Sequence, residues 1–144
     1  MRILPAFLAA VIGGCAVVPA TGPAPEPEPV PAPAARTENF AVASLLDGAR
    51  ADAAAGRLAN AAASLERALR IEPRNPRLWQ ELARVRLKQG DYAQAENVAA
   101  RSNSWAGDDS GLRAENWRLI AQARDARGDA AGARAALETA ERQR

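Results

Sequence analysis

The hydrophobic and polar positions divide the chain into three stretches of different rhythm. Residues 3–12, "ILPAFLAAVI", form an unbroken apolar run. Residues 19–33, "PATGPAPEPEPVPAP", alternate proline with small, apolar or acidic residues and present no recurring apolar face. From about residue 40 the rhythm becomes helical. Trp79, Leu82, Ala83 and the stem of Arg86 recur at i, i+3, i+4 and i+7, one face of a helix. Gly56, Gly90 and Gly128 each follow a helix-length segment, where a left-handed residue ends it. Asn75 before Pro76 suits an N-cap followed by a first helical position. Asp91 and Asp129 are placed to cap the helices that follow them, and Asp91 with Gln94 has capping-box spacing. These signals predict six helices, at 41–55, 58–71, 76–89, 92–103, 112–127 and 130–142.

The helical stretch repeats itself. Gly56 and Gly90 stand 34 residues apart, as do Ala61 and Ala95, Leu65 and Ala99, and Leu45 and Trp79. The central unit reads Trp79, Leu82-Ala83, Gly90-Asp91-Tyr92, Ala95. The first unit keeps Ala49, Gly56, Leu58, Ala61, Leu65, Ala68 and Pro73; the third keeps Trp117, Ile120-Ala121, Gly128-Asp129, Ala133, Leu137 and Ala140. Gly128 follows Gly90 by 38 residues, so four extra residues lie near "SNSWAGDDSG". This pattern resembles the tetratricopeptide repeat over about 42–144. The resemblance implies an all-α fold, an α-solenoid of about three helix hairpins. Its domain would occupy 40–144, with repeats at 42–75, at 76–109 with an insertion extending to 113, and at 114–144. Alanine at 61, 95 and 133 would let paired helices approach closely. Trp79, Tyr92 and Trp117 fall at packing positions of the pattern. Trp105 lies in the insertion, where it either covers the seam between units two and three or stands exposed as an anchor.

The start of the chain points to export. Met1 and Arg2 precede the apolar run, and Gly13-Gly14 follow it, the layout of a secretory signal peptide. The run is too short to span a bilayer, which needs about 20 apolar residues. Ile12-Gly13-Gly14-Cys15 resembles the bacterial lipobox. That resemblance implies removal of residues 1–14 and lipidation of Cys15; Ala16 in the next position implies the outer membrane, with the domain facing the periplasm. The alternative is an ordinary signal peptide with an incidental cysteine. Residues 15–39 then form a proline- and alanine-rich linker. In polyproline II geometry, at about 3.1 Å per residue, it reaches on the order of 70 Å.

Composition narrows the chemistry. The chain has no histidine and Cys15 is its one cysteine, so its serines have no imidazole to activate them. Asp108-Asp109 lacks the further oxygen ligands of a calcium loop and suits a turn that caps the helix near Leu112. No phosphate-binding glycine loop is present. No enzyme activity, metal or cofactor is therefore expected. Arginine supplies 18 of the 19 basic residues, but the net charge is only +2, and no basic run interleaved with aromatics suggests nucleic acid.

The resemblance also implies a concave groove lined by the first helix of each repeat. Its phase places Arg50, Arg77, Gln80, Arg84, Lys88, Arg118 and Gln122 there as candidate partner-binding residues. Arginine forks suit carboxylates, so the expected partner is a protein or peptide of acidic character. The same stripe also reads as the solvated face of amphipathic helices. The expected function is a membrane-anchored periplasmic adaptor or scaffold in envelope or peptidoglycan-related assembly. The alternative is a self-associating or fixed subunit of an outer-membrane assembly, similar to a pilotin, joined through its last helix.

Overall fold

The computed structural model describes residues 33–143, and all regular structure among them is helical. The apolar run, Cys15 and the linker as far as residue 32 lie outside the described residues. Six helices follow in order: α1 Pro33–Ala54, α2 Leu58–Ile71, α3 Pro76–Gln89, α4 Tyr92–Trp105, α5 Ser110–Ala126 and α6 Ala130–Arg142. The bounds of α2, α3 and α6 are those read from the caps. By contrast, α1 opens eight residues before the expected start. Pro33 needs no backbone N–H partner at a helix start, and the alanines and arginine after it are strong helix formers. The fourth helix continues through Trp105, two residues past its expected end.

Successive helices pack as hairpins, α1 on α2, α3 on α4 and α5 on α6, and α2–α3 and α4–α5 contacts join them into a row. Glycines close each hairpin turn with positive φ: 76° at Gly56, 81° at Gly90 and 84° at Gly128. The start signals are realised at three of four helices. The Asn75 side chain accepts from Arg77 N–H at 3.0 Å. Asp109 accepts from Leu112 N–H at 2.9 Å and Asp129 from Gly132 N–H at 2.8 Å. Asp91 departs from its capping-box expectation: it occupies the N-cap position without a side-chain cap bond. Its carboxylate instead lies 3.8 Å from the Arg86 guanidinium, which competes for it.

Alanine makes the hairpins close. Ala61, Ala68, Ala83, Ala95, Ala99 and Ala123 are completely buried. Around them lie two apolar clusters. One gathers Val42, Leu65, Leu69, Leu78, Leu82 and Val85, with Trp79 packed against it. The other gathers Leu119, Ile120 and Ala136 around Ala83 and Ala99, with Trp117 packed against it. Trp79 also donates its indole N–H to the Pro73 carbonyl at 2.8 Å.

The joint between units two and three is polar and buried. Asn116 and Ser102 are fully buried, and Gln80 is 6% exposed. Gln80 Nε2 donates to Asn116 Oδ1 at 3.0 Å. Asn116 Nδ2 donates to Ser102 Oγ at 2.7 Å and to Asn103 Oδ1 at 2.9 Å. Ser102 Oγ donates in turn to the Pro76 carbonyl at 2.7 Å. One asparagine thus ties α3, α4 and α5 together.

Candidate groove along the first helices

A cleft of about 540 Å³ runs where α1, α3 and α5 face one side of the row. Ala53, Leu65, Val85, Leu87 and Leu119 give it apolar walls, while Arg50, Glu81, Arg84, Lys88 and Gln122 supply its polar groups. Helical spacing accounts for this set. Glu81, Arg84, Val85 and Lys88 recur at i, i+3, i+4 and i+7 along α3, on one face.

The charges in the groove are organised around Glu81. Arg50 Nη2 reaches Glu81 Oε1 at 2.8 Å, and Arg50 Nε donates to the same oxygen at 3.2 Å. Arg84 stands 3.6 Å from Glu81 and 2.5 Å from Glu115 of α5. The chain Arg50–Glu81–Arg84–Glu115 therefore laces the three hairpins across the groove. Each pair is partly exposed, so each contributes only a few tenths to about 1 kcal/mol. Lys88 is exposed and has no ion pair among the described residues.

The structure brings Arg50, Arg84, Lys88 and Gln122 to one cleft. It sets the other three candidates apart. Arg77 sits near the N-terminal end of α3, 3.2 Å from Asp109, and is 70% exposed. Gln80 points into the buried joint, its amide held by Asn116. Arg118 is half-buried on α5 outside the cleft lining. Glu115 falls at a groove position of the repeat phase, but Glu81 and the pairing of these acids with the arginines do not show in the stripe. Glu81 lies three residues before Arg84, a spacing that signals an ion pair within one helix. The Arg50–Glu81 and Arg84–Glu115 pairs are both 31 residues apart, so only the repeat register could have suggested them.

The arrangement can hold an extended or helical peptide, with apolar side chains against the alanine and leucine walls and a carboxylate near Lys88. Among the described residues no three or more histidine, cysteine or acidic groups cluster as a metal site would require. No helix there is long and apolar enough to cross a membrane.

Hairpins closed by left-handed glycines, alanine contacts between paired helices and a groove along the first helices define a tetratricopeptide-repeat domain, a protein-interaction module. The chain belongs to that family: residues 52–115 match the family described as Tetratricopeptide repeat. Among solved structures it is similar to the globular C-terminal domain of P. aeruginosa LpoP, at 51% identity and a TM-score of 0.68, over 69% of this chain and 94% of that one. The N-terminal domain of stress-induced protein-1 from C. elegans shares the fold at 14% identity, with a TM-score of 0.68 over 74% of this chain and 86% of that one. None of the curated proteins matches the chain.

Proposed function

We propose that this protein is a lipid-anchored periplasmic adaptor that holds a segment of a partner protein in the groove along α1, α3 and α5. The observation that carries the reading is the groove itself. Three helices contribute apolar walls, and Lys88 stands among them without an acid of its own. An enzyme would need positioned reactive groups, whereas the groove residues are suited to recognition. The lipobox-like residues before Cys15 are the ground for giving this adaptor a place in envelope or peptidoglycan-related assembly. Lipidation of Cys15 would fix the domain to the outer membrane, with residues 15–32 as part of the tether.

Photocrosslinking in cells tests the groove. A photoreactive residue at Gln122, inside the cleft, is expected to capture a discrete partner. The same residue at Ala100, exposed on α4, is expected to capture none of that partner. Equal capture from both positions contradicts the reading. The anchor has a separate check, in which Cys15→Ala is expected to abolish incorporation of labelled palmitate. Labelling that persists in the variant removes the anchor from the account.

A second reading rests on Leu137, which is 47% exposed on α6. Beside it runs a shallow cleft lined by Ala121, Ala130 and Ala133, with Gln122, Asp125 and Arg134 as its polar groups. Such a face suits self-association through the last helix. Sedimentation of the purified chain distinguishes the two: this reading expects a dimer that Leu137→Glu dissociates, whereas a monomer at high micromolar concentration eliminates it.

A further inference from the structure

On the side of the row formed by the second helices, α2 and α4 leave a cleft of about 440 Å³ between them. Its floor belongs to α3. Leu69, Leu82 and Val98 line it with the Trp79 ring, while Arg70, Gln94 and the ion-paired Glu66 and Arg86 supply its polar lining. The end of this cleft near the α2–α3 turn gathers groups that the first-helix groove does not use. Ser102 of α4 bonds to the Pro76 carbonyl, so the end of α4 lies beside the start of α3 and the end of α2. Arg101 stacks over Trp79, with its guanidinium carbon 5.7 Å from the ring centroid. Arg74 stacks over Trp105 at 5.3 Å. Ile71, at the end of α2, and Trp105, beneath Arg74, are apolar side chains 38% and 39% exposed.

Three arginines without an ion pair gather at this end; Arg67, Arg113, Arg118, Arg134 and Arg142 also have none among the described residues, but none of them is seen to lie over a tryptophan. Arg50, Arg57, Arg77, Arg84, Arg86, Arg124 and Arg127 each have a carboxylate within ion-pair distance. Arg70, Arg74 and Arg101 are exposed and have none among the described residues. Two of these guanidinium groups lie over indole rings and have no carboxylate partner, so their N–H groups are free to meet the carboxylates of a ligand. Tryptophan and arginine around a desolvated pocket are also the residues that most often dominate protein interfaces.

We propose that this outer cleft is a second docking surface, for an acidic segment of a protein partner that places an apolar side chain against Trp79 and Val98 while its carboxylates meet Arg70, Arg74 and Arg101. A peptide suits the shape better than a lipid surface does. The arginines border a concavity with an apolar floor, which accepts one or two side chains.

The test uses the purified full chain and short labelled peptides of Leu-Glu-Glu repeats, with Leu-Lys-Lys and Gly-Glu-Glu repeats as controls. Fluorescence anisotropy is expected to show saturable binding of the Leu-Glu-Glu peptide that weakens as salt is added. The controls are expected to bind at least about tenfold more weakly. Arg70→Glu with Arg101→Glu is expected to lose about tenfold or more in affinity, and the milder Arg74→Gln a smaller factor, with helicity unchanged by circular dichroism. Lys88→Glu, in the first-helix groove, is expected to leave this binding within about twofold, so failure of one site is separable from failure of the other. Absence of saturable binding overturns the proposal, as does equal binding of the Leu-Lys-Lys peptide, or loss of binding on Lys88→Glu alone. Arginine-dependent binding to phosphatidylglycerol vesicles without any peptide binding assigns the surface to lipid and likewise overturns it.

Discussion

Asn116 is completely buried, yet its amide is occupied on both sides by Gln80, Ser102 and Asn103. Replacing it with leucine keeps much of the volume and strands the Gln80 amide and the Asn103 carbonyl. Each stranded group costs roughly 1–3 kcal/mol. Asn116→Leu is therefore expected to lower stability by about 3 kcal/mol in urea titration, and Tm by roughly 10–20 °C. Two glycines give opposite outcomes for one substitution. Gly90 has φ of 81°, so Gly90→Ala is expected to cost about 1 kcal/mol from backbone strain alone, because open space surrounds the position. Gly48 lies inside α1 with open space around it and no positive φ, so Gly48→Ala is expected to add about 0.5–1 kcal/mol. Thermal melts of the two variants should move in opposite directions. The turn glycines were legible in the sequence because few other residues adopt that backbone. Gln80 was not legible: a glutamine on a polar stripe carries no local sign that its partner, 36 residues on, will bury it.

At the scale of elements, period, caps and turn glycines located every helix, and the discrepancies lie at ends. The four extra residues before α5 lengthen α4 and form a turn in which Gly107 takes φ of 51° and Arg113 donates to the Gly107 carbonyl. That lengthening carries Trp105 to the helix end, where it stacks with Arg74 and leaves the seam to Asn116. The seam is therefore closed by hydrogen bonds rather than by the tryptophan. Packing also orders the elements by stability. The four inner helices each contact two or more neighbours, whereas α1 packs mainly on α2 and α6 mainly on α5. Hydrogen exchange is expected to be slowest in α3 and α4 and fastest in the end helices α1 and α6. At the hairpin contact, Ala99 is fully buried, and Ala99→Leu must push α4 away from its neighbours. A loss of about 1–3 kcal/mol is expected in denaturant titration.

At the scale of the whole molecule, arginine does two different jobs. Along the first helices it is consumed in ion pairs that align the hairpins, from Arg50 through Glu81 and Arg84 to Glu115. The sequence alone left this stripe between a binding face and a solvated one, because the acids nearest Arg50 and Arg84, Glu81 and Glu115, each come from the next repeat. What the first-helix groove keeps free is narrower: apolar walls, Gln122 and the Lys88 ammonium. Recognition in the proposed adaptor should therefore depend on Lys88 far more than on the number of arginines nearby. The most direct measurement is the affinity of the partner captured through Gln122 for the intact chain and for its Lys88→Glu variant at matched salt. The account predicts that the variant binds at least about tenfold more weakly, a loss of about 1.4 kcal/mol, with its thermal melt unchanged. Equal affinity for the two proteins would contradict it.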